Sequence, residues 1–304
     1  MTDAVFRSAD LVPLWDRPAG FLPVRPEGGL HHWRFATIRD ELERVAGAIP
    51  ASLVERRVAL LSHPDLEAGV AAEGVNVGVQ MLLAGESAPS HRHTPNALRI
   101  GLSSYGVMTT VDDGEYLLDP LDMVLNPSGT WHAHHGAADG PAASFWLDVV
   151  DLPLVSALGA TLFAPSAAHD IPELDPPARP ETIRYPWSDV EASLAIAAPI
   201  DGIRSVRYGQ GPTWEVVPTL GVSAHRVASG AIFQLPRRTG SSVVLVGEGQ
   251  FQLEDVELHR FDVVTVRPWT ELTLVAEVED ALLIVVDTTP ALARLQLFRE
   301  DHAR

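Results

Sequence analysis

Gly85-Glu-Ser-Ala-Pro-Ser-His91-Arg-His93 decides the reading of this 304-residue chain, together with Pro127-Ser-Gly129-Thr-Trp-His132 further on. His91 and His93 are two residues apart, so an extended strand points both imidazoles to one face. A third donor must come from a neighbouring strand, and His132 follows a Pro/Gly turn that suits a strand entrance. The three imidazoles have the spacing of a one-metal site inside a small β-barrel. Three neutral imidazoles packed together need partners for their ring nitrogens, and a divalent cation is the simplest. The competing reading is a set of polar residues lining an empty barrel mouth.

Working outward, Val75, Val77, Val79 and Met81 alternate with Asn76, Gly78 and Gln80, which predicts a two-faced strand. Short strand-like runs follow at Ala97–Leu102, Val107–Val111, Met123–Leu125 and Ser144–Val150, divided by Gly, Pro and Asp-rich turns. Such spacing predicts a barrel or sandwich. Before them, Ile38, Leu42, Val45 and Ile49 recur at helical spacing, with Thr37 and Asp40 or Glu41 placed as a cap. Pro13 to Pro26, with Trp15 and Phe21, reads as an extended arm. Leu162 to about Arg184 is a Pro-rich connector, and a second β-rich block runs from about Gly202 to Asp287. There Phe261-Asp-Val-Val-Thr-Val-Arg-Pro-Trp echoes Leu121-Asp-Met-Val-Leu-Asn-Pro-Ser-Gly, the mark of an internal duplication. The expected fold is all-β dominated, a bicupin of two jelly-roll barrels. Its parts are an N-terminal arm and helix (1–73), a metal-bearing barrel (74–160), a Pro-rich linker (161–200) and a degenerate barrel without metal (201–304).

Composition narrows the function. A formal net charge of −18 disfavours nucleic acid and acidic membrane surfaces. The absence of cysteine excludes thiolate ligands, Fe–S clusters and Cys nucleophiles. No basic leader and no run of eighteen apolar residues stands out, so a cytoplasmic protein is expected.

Gly-x5-His-x-His followed by Pro-x-Gly-x-x-His is the two-part signature of the cupin barrel. Many cupins place a carboxylate three or four residues beyond the His-x-His, but Ala97 and Leu98 stand there. Three neutral ligands leave a dication its full charge and open positions, which favours an anionic chelating substrate. Ligand type permits Zn2+ or Fe2+.

The longer string His91-Arg-His-Thr-Pro-Asn-Ala-Leu-Arg99 resembles the gentisate and salicylate 1,2-dioxygenase family. So do Thr130-Trp-His132-Ala-His134, Trp146-Leu-Asp148-Val-Val-Asp, Glu55-Arg-Arg-Val-Ala-Leu-Leu, Val79-Gln-Met-Leu-Leu-Ala-Gly-Glu, Arg238-Thr-Gly-Ser and Pro290-Ala-Leu-Ala-Arg-Leu. The resemblance implies one Fe(II) per subunit on His91, His93 and His132. It implies cleavage of a 2-hydroxybenzoate ring by O2, between the carboxyl-bearing and hydroxyl-bearing carbons, and a homo-oligomer, dimer or tetramer. Arg99 is placed as a carboxylate anchor against a structural ion pair. Gln80 is a substrate hydrogen-bonder or a satisfied barrel residue, and His134 an acid–base group or a surface histidine. Asp148 orients Arg99 or a ligand imidazole, and Trp146 lines the pocket or is plain core. Arg57, or Arg56 beside it, offers a second carboxylate contact or a surface pair. Leu121 stands where the family tends to have glycine, and Asn76 where it often has a bulky aromatic, a change that would alter the ring substituents tolerated if Asn76 faces the pocket, so gentisate or a related 5-substituted salicylate is the expected substrate. The second barrel has Arg237-Arg238-Thr239 and Pro268-Trp-Thr-Glu271 in place of histidine ligands. The competing functions are a non-redox metal enzyme of the same barrel, an isomerase or lyase, and a ligand-binding cupin without catalysis.

Overall fold

A computed structural model describes residues 28–49, 56–140, 142–166, 180–209, 212 and 214–301. The arm read over Pro13 to Pro26 and much of the Pro-rich connector lie outside the described residues. In chain order the first elements are β1 (Leu30–Trp33), α1 (Phe35–Ala48), β2 (Arg57–Leu60), β3 (Asn76–Leu83), β4 (Ser87–His93) and β5 (Ala97–Gly101). Next come β6 (Val107–Val111), β7 (Gly114–Leu118), β8 (Met123–Asn126), β9 (His132–His135) and β10 (Ala143–Val150). The connecting region holds α2 (Leu152–Ala157), β11 (Phe163–Pro165), β12 (Arg184–Tyr185) and α3 (Trp187–Ile196). The second β-rich block comprises β13 (Ile203–Arg207), β14 (Glu215–Val217), β15 (Leu220–Val227), β16 (Ile232–Leu235) and β17 (Ser242–Glu248). It ends with β18 (Phe251–Leu253), β19 (Val256–Leu258), β20 (Val263–Val266), β21 (Leu272–Ala276), β22 (Ala281–Asp287) and α4 (Thr289–Arg294).

Each block closes as two antiparallel sheets. The first pairs the order β12-β8-β5-β10-β3-β2 with β11-β4-β9-β6-β7. The second pairs β1-β20-β17-β22-β15-β13, with β14 alongside β15, and β16-β21-β18-β19. Two of the chain's short segments are lent to distant sheets. β1 adds to β20 of the second barrel, and β11 adds to β4, the strand that carries His91 and His93.

The alternation along β3 explains how the barrels join. Val75, Val77, Val79 and Met81 are fully buried on one face and pack in a single apolar cluster with Val222, Val243, Leu245 and Ile284 of the second barrel. Each such side chain contributes about 1.5–3 kcal/mol relative to exposure, so this shared core holds the two barrels as one body. The opposite face, with Asn76, Gly78 and Gln80, turns into the first barrel.

The interiors then differ in kind. The second barrel is filled by apolar side chains, among them Val244, Val246, Phe251, Leu274 and Leu283. The first holds a small apolar cluster at one end, with Trp146, Val107 and Leu118, and gives the rest of its volume to polar groups.

The echoed sequence forms the same corner twice. Leu121 and Phe261 both adopt a left-handed backbone, at φ 65° and 72°. The aspartate after each accepts the first backbone N–H of a helix: Asp122 from Trp187 of α3, at 2.7 Å, and Asp262 from Phe35 of α1, at 2.8 Å. That corrects the cap expected at Thr37. The helix starts three residues earlier than a Thr37 cap implies, its N-cap Arg34 supplies no side-chain bond, and the capping carboxylate comes from the other end of the chain.

Candidate metal and substrate site

β4 and β9 pair antiparallel with His91 opposite His132, and a register shift between Ala88 and His91 turns the histidine end of β4. The rings of His91 and His132 are 4.1 Å apart, those of His93 and His132 4.8 Å, and those of His91 and His93 5.6 Å. One ligand atom from each lies within 4.8 Å of the others, and no other such group of His, Asp or Glu occurs among the described residues.

The backbone fixes which nitrogen faces inward. His91 Nδ1 lies 3.1 Å from the Pro89 carbonyl, His93 Nδ1 2.7 Å from that of Pro95, and His132 Nδ1 3.0 Å from that of Thr130. A carbonyl only accepts, so each Nδ1 donates and each Nε2 keeps its lone pair. Burial lowers the His91 pKa to about 3, assisted by the Arg56 charge, and that of His93 to about 4. Burial, then Arg99, holds His132 well below its ordinary value. All three are neutral near pH 7, the state a metal ligand requires. His132 Nε2 is buried with no hydrogen-bond partner. An orphaned lone pair beside two matching nitrogens fits a divalent cation.

A cavity of about 710 Å³ adjoins the triad, bordered by His93 and by residues of β2, β3, β5, β10 and β11. Gln80, Asn76, Arg99 and Asp148 all border it. Arg99 and Asp148 face each other across β5 and β10, with Arg99 Nε 3.0 Å from Asp148 Oδ1, while Arg99 Nη1 donates to Asn126 Oδ1. Burial raises the Asp148 pKa against the pull of Arg99, and lowers that of Arg99 against the pull of Asp148. Asp148 is thus placed on Arg99 and not on an imidazole. Gln80 Nε2 and Asn76 Oδ1 are buried without partners, while Asn76 Nδ2 donates to the Gly69 carbonyl at 2.6 Å.

Three expected residues sit away from the cavity wall. His134 shares the face of His132, with rings 6.2 Å apart, but lies a layer deeper, its Nδ1 3.0 Å from Thr109 Oγ1 and its Nε2 unpartnered. Burial, then Arg99, keeps it neutral. Trp146 is fully buried in the apolar end of the barrel, 5.4 Å from the His134 ring. Arg57 is not brought to the site, because strand alternation turns it the other way from Val58. It pairs with Glu86 at 2.5 Å and donates to the Ile49 carbonyl. Arg56 takes the place at the cavity: its Nη1 lies 2.5 Å from His91 Nε2 and its guanidinium carbon 5.8 Å from the Phe163 ring. Sequence reasoning missed Asn126, Gly78 and Phe163. An added Cβ on Gly78 would come within 2.7 Å of Val58 Cγ1, so glycine is what lets Val58 of β2 close over β3 at that wall.

Comparison with known proteins places this geometry. Residues 78–150 match the cupin domain family. A gentisate 1,2-dioxygenase from Ralstonia sp is 30% identical over 96% of this chain and 91% of its own length. A 1-hydroxy-2-naphthoate 1,2-dioxygenase from Nocardioides sp. (strain KP7) is 28% identical over 91% of this chain and 80% of its own length. A 5-aminosalicylate 1,2-dioxygenase from Comamonas sp is 28% identical, over 96% and 87%. Among solved structures, a salicylate 1,2-dioxygenase from Pseudaminobacter salicylatoxidans superposes with a TM-score of 0.85 at 24% identity, covering 96% of this chain and 94% of that one, which speaks for the bicupin fold. On a relative of 30% identity along almost its entire length, the chain belongs to the gentisate 1,2-dioxygenase family of ring-cleaving oxidoreductases.

Proposed function

We propose that the protein is an Fe(II)-dependent dioxygenase that opens the ring of an aromatic 2-hydroxycarboxylate with O2. The observation that carries this reading is a triad of neutral imidazoles, of which His93 borders the cavity, beside a buried arginine that borders the same cavity. His91, His93 and His132 would hold the iron, with every Nε2 lone pair already turned inward. A bound ferrous ion supplies the Lewis acidity and electron relay through which an electron-rich ring and dioxygen react.

The protein's own groups bind, orient and dehydrate. Arg99 takes the substrate carboxylate. Its guanidinium is permanently charged, and Asp148 and Asn126 fix its plane from behind, so little reorganisation remains on binding. Gln80 offers an unpartnered amide N–H to an oxygen of the substrate. His134, neutral and tethered to Thr109, lies behind the cavity wall and would support the ligand strand beside His132 from within the barrel. Val58, Leu60, Val150, Leu152, Leu162 and Phe163 give the rest of the cavity an apolar wall that excludes water.

Substrate identity follows from that wall. The asparagine at 76, half-buried on the cavity wall with an unpartnered Oδ1, stands at a place for a ring substituent, so we assign a substrate range that reaches beyond gentisate, the 5-hydroxysalicylate, to salicylates with another 5-substituent or a fused ring. Relatives named for gentisate, 5-aminosalicylate and 1-hydroxy-2-naphthoate span that range. No helix of the described residues is long and apolar enough to cross a membrane.

The test is an oxygen-electrode screen of the iron-reconstituted enzyme against gentisate, 5-aminosalicylate, 5-halosalicylates and 1-hydroxy-2-naphthoate. Uptake with a substituted salicylate or the naphthoate supports the proposal. Uptake with gentisate alone overturns the substrate assignment, and none with any member overturns the activity.

A further inference from the structure

One wall of the cavity is a strap of chain laid along the barrel edge. Thr161, Leu162 and Phe163 border the cavity, yet Ala164 is the one buried side chain between residues 158 and 166, so apolar burial does little to hold the strap. Its attachment is a set of hydrogen bonds to β4 and the residue that follows it. At one end Ser166 N–H donates to the Ser90 carbonyl at 3.1 Å, while Pro165, opposite His91, has no N–H to add. At the other end Thr94, next to His93, makes three bonds. Its N–H donates to the Leu162 carbonyl at 3.0 Å, and its Oγ1 accepts the Leu162 N–H at 2.8 Å and donates to the Ala160 carbonyl at 2.7 Å. One hydroxyl spends both its proton and a lone pair on the same strap.

We infer that Thr94 is a positioning residue for the reaction: its hydroxyl latches the strap of residues 158–166 over the cavity and so holds Leu162 and Phe163 against the aromatic acid. This rests on the reading of the cavity as the substrate site. The walls differ in how firmly they are set. Gln80, Arg99 and Asp148 stand on β3, β5 and β10, each paired with a strand on both sides. β11 is an edge strand with one neighbour, and its Phe163 is 44% exposed. The strap is therefore the wall that lifts at least cost, and lifting it widens the way into the cavity. Thr94 sets the balance between the lifted and closed arrangements, and a wall already in place spares the substrate the cost of ordering it. The imidazole of His93 is held separately, by the Pro95 carbonyl, so loosening the strap leaves that ligand oriented.

The experiment compares iron-loaded wild type, Thr94→Val and Thr94→Ser by hydrogen–deuterium exchange and by oxygen uptake, with thermal unfolding as the check that each variant folds. Valine keeps the shape and removes both hydroxyl bonds, whereas serine keeps the hydroxyl. Exchange over residues 158–166 should be roughly tenfold faster in Thr94→Val, the scale of two net hydrogen bonds lost, and unchanged in β3, β5 and β10. Thr94→Ser should exchange as wild type does. In oxygen uptake with the aromatic acid that wild type turns over best, Thr94→Val should raise KM several-fold with kcat within about twofold and iron content at the wild-type level, and Thr94→Ser should restore KM. The same acid, added without O2, should slow exchange of the strap in wild type. Unaltered strap exchange or unaltered KM in Thr94→Val, or a serine variant as impaired as the valine one, overturns the latch alone. No oxygen uptake by wild type with any aromatic acid would sink the reading of the cavity, and the proposal with it.

Discussion

Arg99→Met separates anchoring from structural support. Arg99 is 4% exposed, ion-paired to Asp148 at 3.0 Å and bonded to Asn126. Its removal takes away a charge-assisted contact to the substrate carboxylate in a water-poor site, worth about 2–4 kcal/mol, or roughly 30- to 1000-fold in kcat/KM, chiefly through KM. The same change strands Asp148, 7% exposed, without its cation. Breaking a buried pair costs about 3–5 kcal/mol of stability, lessened where the carboxylate takes up a proton. Burial already raises the Asp148 pKa, so the lower end of that range is expected. The double variant Arg99→Met/Asp148→Leu removes both charges and should recover most of the stability while leaving KM as poor as in the single variant. Urea unfolding reads the first quantity and oxygen uptake against substrate concentration the second. Iron content should stay at the wild-type level throughout. A single variant with unchanged KM, or a double variant that regains substrate affinity, would refute the assignment of Arg99 as anchor.

Three further outcomes follow from the same geometry. Arg57→Ala should leave KM unchanged and cost about 2–4 kcal/mol in urea unfolding, because its partner Glu86 is left half-enclosed without its ion pair. Asp262→Ala should destabilise the protein by about 1–2 kcal/mol through loss of the cap on α1, and Asp262→Asn should restore part of it. His225 sits between Ser205 and Ser223, and burial, then Arg207, lowers its pKa to about 4. The unfolded chain binds this proton first, so stability falls as pH drops from about 6.5 towards 4. His225→Gln should flatten that part of a melting-temperature profile, and an unchanged slope would contradict the burial argument.

What the sequence discloses here depends on how local the cause is. The period-two pattern of Val75 to Met81, the His-x-His and the Pro/Gly turn before His132 are short-range signals, and they locate β3, β4, β9 and the triad. The duplicated Leu121-Asp122 and Phe261-Asp262 corners are visible as an echo. Their work as helix caps is not, since Asp262 and Phe35 are 227 residues apart. The assignment of Arg57 to the cavity fails because β2 has four residues, too few to show which side alternates inward. Asn126 behind Arg99, and β11 beside the ligand strand, depend on pairings between segments that carry no pattern of their own. His134 and Trp146 share faces with site residues, yet depth within the barrel, which periodicity does not encode, separates them from the cavity.

Iron K-edge X-ray absorption on the anaerobic Fe(II)-loaded protein tests the central claim most directly. The expected spectrum has three imidazole nitrogens in the coordination sphere, and gains oxygen scatterers at chelating distance when a substituted salicylate is added without O2. Fewer than three imidazoles, or a spectrum indifferent to the aromatic acid, would contradict it.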